Sequence, residues 1–241
     1  MTPSPASGVA EEGEAKRDYV RAMFTAIAPR YDFLNHLLSF NVDRRWRRRA
    51  VRHTGWERKP DGVFLDLCAG TLDLAATLAR VPGFRGTVVG ADFAVAMLAR
   101  GRAKARGLAA VGADALALPF ADQSFDGAMV AFGVRNLSDL DRGLAEVARV
   151  LRPGARFVIL EFTTPRFAPL RALYLLYFRR ILPALGRAVS KHRDAYTYLP
   201  ESVLAFPAPD ALAARMSQSG FRDVRYELLT GGICAVHCGT K

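Results

Sequence analysis

From Asp61 onward, short apolar runs alternate with stretches whose apolar residues recur at helical spacing. GVFLDLC (62–68) has the β-branched and aromatic content, and the bounding glycine, of a buried strand. TLDLAATLARV (71–81) then switches to the helical period. TVVGAD (87–92) predicts a second strand and FAVAMLARGRAKARG (93–107) a second helix. AAVGAD (109–114) and FDGAMVAFG (125–133) predict a third and a fourth strand. LDRGLAEVARVLRPG (140–154) predicts an amphipathic helix stopped by Pro153-Gly154, and ARFVILEF (155–162) a fifth strand. After a long insertion, PDALAARMSQSGF (209–221) predicts a helix ending at Gly220. RDVRYELLTGGICAVHCGT (222–240) then predicts two strands joined at Gly231-Gly232. Such alternation implies an α/β fold: a mostly parallel, seven-stranded sheet with helices on both faces. The closing strand pair, with no helix between its members, adds one antiparallel strand at the sheet edge.

A chain of 241 residues fits one domain. Residues 1–16 are polar and read as a flexible arm, and 17–241 as a single domain. Within it, 17–58 predicts a helical cap, 59–162 a ligand-binding core, 163–205 a helical insertion, and 206–241 the last helix and strand pair. Three cysteines, Cys68, Cys234 and Cys238, are too scattered for a disulfide framework or a zinc site, so no metal is expected. The start lacks a signal peptide and no apolar run approaches a membrane span, which predicts a cytoplasmic protein.

The net charge of +11 is local. Residues 17–58 hold ten Arg against four acids, and 166–193 hold seven basic residues and no acid, which accounts for all of it. Such patches attract phosphate, on nucleic acid or on lipid headgroups. Leu170, Leu173, Tyr174, Tyr177 and Ile181 recur at helical spacing among Arg171, Arg179, Arg180 and Arg187, a pattern suited to the surface of an anionic membrane. Trp46, among Arg44, Arg45, Arg47, Arg48 and Arg49, adds an aromatic suited to the same interface.

The chemistry lies at the strand ends. The first strand runs through Asp66 into a turn of small residues, Cys68-Ala69-Gly70-Thr71, where a ligand can approach the backbone. Asp92 closes the second strand, where a carboxylate can accept both hydroxyls of a ribose. Asp114-Ala115 closes the third, where a carboxylate and an amide can meet an adenine. A dinucleotide site would need G-x-G-x-x-G, and Cys68 and Leu72-Asp73 break it. Asp73 opposes pyrophosphate but tolerates the amino group and sulfonium of S-adenosylmethionine, so the methyl donor is the expected ligand.

With these motifs in place, the sequence resembles the C-methyltransferases of menaquinone and ubiquinone biosynthesis from about Tyr19 to Lys241. The resemblance rests on MFTAIAPRYDFLNHLLSFNVDRRWRR (23–48), LDLCAGTLDLA (65–75), ALPFADQSFDGAMVAFGVRNLSDLDRGLAEVARVLRPG (117–154), LEFTTP (160–165), YLPESV (198–203) and GICAVHCGTK (232–241). It implies a Rossmann-like class I methyltransferase fold, a donor site at Thr71, Asp92, Asp114, Ala115 and Ala131, and a polyprenyl quinol acceptor. With the strand-turn reading, the expected donor residues are Asp66, Gly70, Thr71, Asp92, Asp114, Ala115 and Ala131. Cys68 with a non-glycine at position 72 resembles the menaquinone branch, which makes demethylmenaquinol the preferred acceptor over a benzoquinol. Leu72 departs from the glycine common in the family. It is expected to add bulk beside the donor and to hold the turn at negative φ.

Arg135 is the candidate to stabilise a developing phenolate, with an ion pair to Asp139 or Asp141 as the structural alternative. Tyr31 and Asn136 are candidates to position the ring, Tyr31 with the alternative of a core aromatic. His237 reads as a buried, hydrogen-bonded histidine. A nucleic-acid methyltransferase fits the charge but lacks a Pro-Cys pair and an Asn/Asp-Pro-Pro-aromatic motif; Ala131-Phe132-Gly133-Val134 stands there instead. No nucleic acid is therefore expected as partner. A non-catalytic scaffold of the same fold is the remaining rival.

Overall fold

A computed structural model describes residues 13–28, 39, 41–181 and 194–241. Seven strands form one sheet: β1 (Val63–Leu67), β2 (Thr87–Asp92), β3 (Leu108–Gly112), β4 (Phe125–Ala131), β5 (Leu151–Phe162), β6 (Arg222–Leu229) and β7 (Cys234–Thr240). Their spatial order is β3-β2-β1-β4-β5-β7-β6. Strands β1 to β5 pair in parallel, while β7 is antiparallel to both β5 and β6. The reversed strand thus sits one place in from the edge, with β6 outside it.

The strands are apolar because both faces are covered. On one face α2 (Asp43–His53), α3 (Asp73–Ala79) and α4 (Val95–Gly101) follow in chain order, α5 (Leu140–Val150) lies across the sheet from α2 and α3, and α1 (Glu14–Ile27) packs through Phe24 on Ala94 and Met97. The insertion holds α6 (Ala168–Leu176), continued by a π-helical turn at Tyr177–Ile181, and α7 (Asp194–Ala205). Last comes α8 (Pro209–Gln218). Two cores result. Leu65, Val130, Leu144, Val147, Phe157, Leu212 and Met216 fill one, and Phe64, Leu72, Leu74, Leu78, Val158 and Val236 fill the other.

The predicted elements are present with shifted ends. Helix α5 stops at Val150, and Pro153-Gly154 falls inside β5, where the register against β4 shifts. The predicted helix over 93–107 keeps only Val95–Gly101. Helix α1 begins at Glu14, inside the segment read as an arm. Among the described residues no helix is long and apolar enough to cross a membrane.

Candidate active site

Where β1 and β4 end side by side, the chain turns sharply enough to leave a cavity above the sheet. It is partly open to solvent. Gly70, Asp92, Asp114, Ala115, Ala131 and Asn136 line it. The backbone is wound tightly here: Cys68, Leu72 and Phe132 all have positive φ, at 50°, 63° and 59°. Non-glycine residues adopt this region at a cost, and such costs cluster at functional sites.

Asp92 holds the turn. Its Oδ2 accepts the Gly70 N–H and its Oδ1 the Ala94 N–H, both at 2.8 Å. Burial raises its pKa, and these two amides oppose the rise. Each oxygen keeps a second lone pair for a ligand hydroxyl. Asp114 binds its own loop through the Leu116 N–H at 2.9 Å and pairs with Arg17 of α1 at 3.0 Å. Arg17 and Phe24 bring α1 over the cavity mouth.

Two expected donor contacts do not line the cavity. Asp66 is buried and turned under the helix, where Oδ2 accepts the Ala75 N–H at 2.9 Å; Thr71 is buried beside it. Burial lifts the Asp66 carboxyl to about 8. Asp66 thereby ties β1 to the first turn of α3. Asp73 is not open to a ligand amino group either, since Lys104 Nζ lies 2.6 Å from its Oδ1 and Arg47 lies 3.8 Å from Oδ2.

The expectation for Leu72 is reversed. Its φ is +63°, and its side chain is fully buried in the core beneath α3, away from the cavity. Two glycines make the room. A Cβ at Gly90 would overlap Leu72 Cδ2, and one at Gly101 would stand 2.8 Å from Leu72 Cβ. Packing in that hollow outweighs the backbone preference, and Leu72 does not line the cavity.

Two acids, Asp92 and Asp114, line the cavity, and burial with Asp92 nearby raises the pKa of the Cys68 thiol. A field of that sign suits a sulfonium and an ammonium and opposes a pyrophosphate. The residues present therefore fit S-adenosylmethionine.

Beside the cavity the strand ends carry aromatic rings. Phe132 stacks on Phe162 at 4.5 Å, and Trp46 meets both at about 6 Å. Trp46 is thus a buried wall residue, not an interface anchor, and its indole N–H donates to Thr230 Oγ1 at 2.9 Å. Arg47 is likewise buried, paired with Asp43. Arg135 stands over Phe162, with Cζ 5.7 Å from the ring centre. Its Nη1 donates to the Phe132 carbonyl and, at 2.9 Å, to Glu161 Oε1. That pair is almost wholly buried. Asp139 and Asp141 are engaged elsewhere: Asp139 caps α5 through the Arg142 N–H, and Asp141 lies 3.4 Å from Arg215. Asn136 Oδ1 accepts the Tyr198 hydroxyl at 3.2 Å, and burial pushes that phenol up to about 12. Tyr31 lies outside the described residues. His237 is buried with Nε2 3.0 Å from the Pro209 carbonyl, and burial lowers its pKa.

Residues 12–241 match the ubiE/COQ5 methyltransferase family. The chain belongs to that family. It is 54% identical over 224 residues to the demethylmenaquinone methyltransferase of Thermus thermophilus, covering 91% of this chain and all of the relative. To the demethylmenaquinone methyltransferase of Deinococcus radiodurans it is 46% identical, over 98% and 97% of the two chains. To the ubiquinone/menaquinone biosynthesis C-methyltransferase UbiE of Geobacter sulfurreducens it is also 46% identical, over 96% and 90%. Among solved structures it resembles the [4+2]-cyclase SpnF (TM-score 0.67, 14% identity, 92% and 95% covered). It also resembles a SAM-dependent methyltransferase of Thermotoga maritima, described as a possible histamine N-methyltransferase (0.63, 18%, 91% and 99%). These likenesses show the Rossmann-like methyltransferase fold.

In this ubiE/COQ5 methyltransferase the sequence reading passed over Glu161, Tyr198 and Arg17. Glu161 and Tyr198 sit inside LEFTTP and YLPESV, so the motifs themselves were the available signal. Nothing local marked Arg17, whose partner is 97 residues away.

Proposed function

We propose that this methyltransferase transfers the methyl group of S-adenosylmethionine to a ring carbon of a polyprenyl quinol, with demethylmenaquinol as acceptor. The observation that carries the reading is the juxtaposition of a cavity lined by Asp92 and Asp114 with an aromatic wall and a buried arginine. When bound, the donor supplies an electrophilic methyl: the new carbon–carbon bond forms as the sulfur–methyl bond breaks, and the ring carbon then loses its proton. The protein's own contributions are positional and electrostatic. Asp92 would accept the ribose hydroxyls while Gly70 and Ala131 leave the backbone close. Asp114 and Ala115 would meet the adenine edge, with Asp66 and Thr71 acting through the turn. Asn136, fixed by Tyr198, and Tyr31 would orient the ring. Arg135, held by Glu161, would favour the ionised quinol oxygen, which raises electron density on the attacking carbon.

The acceptor carries a lipid tail, and the outer face of α6 fits the surface that holds it. Phe167, Leu173 and Leu176 are exposed there beside Arg166, Arg171 and Arg180. Of the residues expected on this face, Tyr174 turns inward instead and Leu170 packs on Gly231. Peripheral contact with anionic membrane follows as part of the proposal. Binding to vesicles containing anionic lipid, weakening as ionic strength passes about 0.15 M, is the expected result. Equal binding to neutral vesicles would remove that part. The main test is transfer of label from S-adenosylmethionine to a reduced short-chain demethylmenaquinone. Product should form with the quinol and not with the quinone; no transfer to the quinol would overturn the reading.

A further inference from the structure

Asp114, placed above at the adenine edge, is held by two donors. The Leu116 N–H meets its Oδ1 at 2.9 Å, and Arg17 Nη1 lies 3.0 Å from its Oδ2. Both members of the Arg17–Asp114 pair line the cavity. Their side chains are 40% and 31% exposed, and a pair so open to water adds little to stability. Its consequence lies in what it does to the carboxylate. The terminal torsion of an aspartate is soft, so the group turns unless both oxygens are held. Leu116 fixes one oxygen and Arg17 the other. The plane of the carboxylate is thereby set, and each oxygen keeps a lone pair to offer.

Helix α1 can supply this hold because other contacts dock it. Phe24 packs on Ala94 and Met97 beside the cavity. Lys16 Nζ donates to the Leu137 carbonyl at 2.9 Å, and Tyr19 meets the Tyr198 ring at 5.9 Å. Arg17 is thus carried to Asp114 on a helix seated on both sides of the cavity, against α4 and against α7.

We infer that Arg17 is a positioning residue for the donor: by holding Asp114 Oδ2 it aims the carboxylate at the 6-amino group of the adenine and so sets a preference for a 6-aminopurine. The inference rests on the proposed placement of the adenine edge at Asp114 and Ala115. A 6-oxopurine offers an oxygen where the amino group would donate, and an N–H where the Ala115 amide would donate. The first mismatch is read by the carboxylate that Arg17 holds, the second by the backbone. Arg17 therefore accounts for part of the preference and not for all of it.

Calorimetry with S-adenosylhomocysteine and S-inosylhomocysteine reads that preference without turnover. Wild type should favour the adenosyl compound by roughly 10- to 100-fold, the span of a hydrogen bond to a charged group. Arg17→Ala should narrow the ratio by about fivefold, chiefly by weakening the adenosyl compound, as the released carboxylate turns toward water. Arg17→Gln, which keeps the stem and loses the charge, should narrow it in the same direction and carries the comparison if alanine loosens α1. Asp114→Ala should narrow the ratio at least as far, and R17A/D114A no further than D114A. An equal loss of both compounds in R17A and R17Q, which looser docking of α1 would give, overturns the inference. So does a ratio that stays or rises, the mark of a carboxylate left in place and stripped of its cation. Wild type without a preference, or D114A that keeps it whole, overturns the placement of adenine beneath the inference; a preference lost in D114A and kept in R17A overturns the role of Arg17 alone.

Discussion

Replacing Leu72 tests whether its side chain belongs to the core or to the donor turn. The residue is fully buried, so Leu72→Ala should cost about 2.7–5.0 kcal/mol of stability. It also sits at φ +63°, a conformation that costs an L-residue roughly 1–2 kcal/mol and that alanine would inherit. Leu72→Gly loses the same side chain but escapes that cost, against about 0.4–1 kcal/mol for the greater freedom of glycine in the unfolded chain. L72G should therefore be no less stable than L72A, the reverse of the order at an ordinary helix position. Gly90→Ala completes a cycle. Its methyl would overlap Leu72 Cδ2, an overpacking worth about 1–3 kcal/mol in the wild type. In L72A that atom is gone, and only the Ala69 Cβ at 3.1 Å still crowds the new methyl. The two changes should thus couple by at least ~1 kcal/mol. Urea unfolding at 25 °C gives the four stabilities, and calorimetry should find donor affinity within about threefold throughout. The reasoning fails if L72G is clearly less stable than L72A, if the cycle is additive within ~0.5 kcal/mol, or if donor affinity collapses while the fold persists.

Arg135→Ala strands the buried Glu161 carboxylate and should cost about 3–5 kcal/mol, whereas R135A/E161A should recover part of that stability in urea melts without recovering turnover. Asp66 binds its proton up to about pH 8 in the folded protein but only to the ordinary carboxylate range once unfolded, so the native state holds more protons in between. The stability this group contributes is complete below about pH 4 and declines as pH rises to 8. D66N should flatten that decline in thermal melts, and an unchanged slope would show that Asp66 does not titrate there.

The sheet was legible because its strands are short apolar runs with turn residues at both ends. The cavity edge was legible because Asp92, Asp114 and Ala115 sit where such runs stop, and strand ends share one edge of a parallel sheet. Leu72 was misread because the rule for its own backbone is local, while the hollow that overrides it is made by Gly90 and Gly101 on other elements. Glu161 hid in an apolar strand, and its partner Arg135 lies 26 residues away. Trp46 looked like an interface residue because its neighbours in sequence are arginines; its neighbours in space are Phe132 and Phe162. Asp66 and Asp92 look alike at strand ends, and only the direction each carboxylate faces tells them apart.

Strand β7 is the last of the seven to be synthesised, yet it lies between β5 and β6. Phe162 pairs with Cys234 and Arg156 with Thr240, so its partners on one side were made long before it. Until it inserts, β6 has no seat on the sheet and β5 exposes a raw edge next to the Arg135–Glu161 pair. Assembly of the aromatic wall is thereby coupled to the synthesis of β7: a nascent protein can shape the cavity at the ends of β1 to β4 well before the aromatic side is sealed.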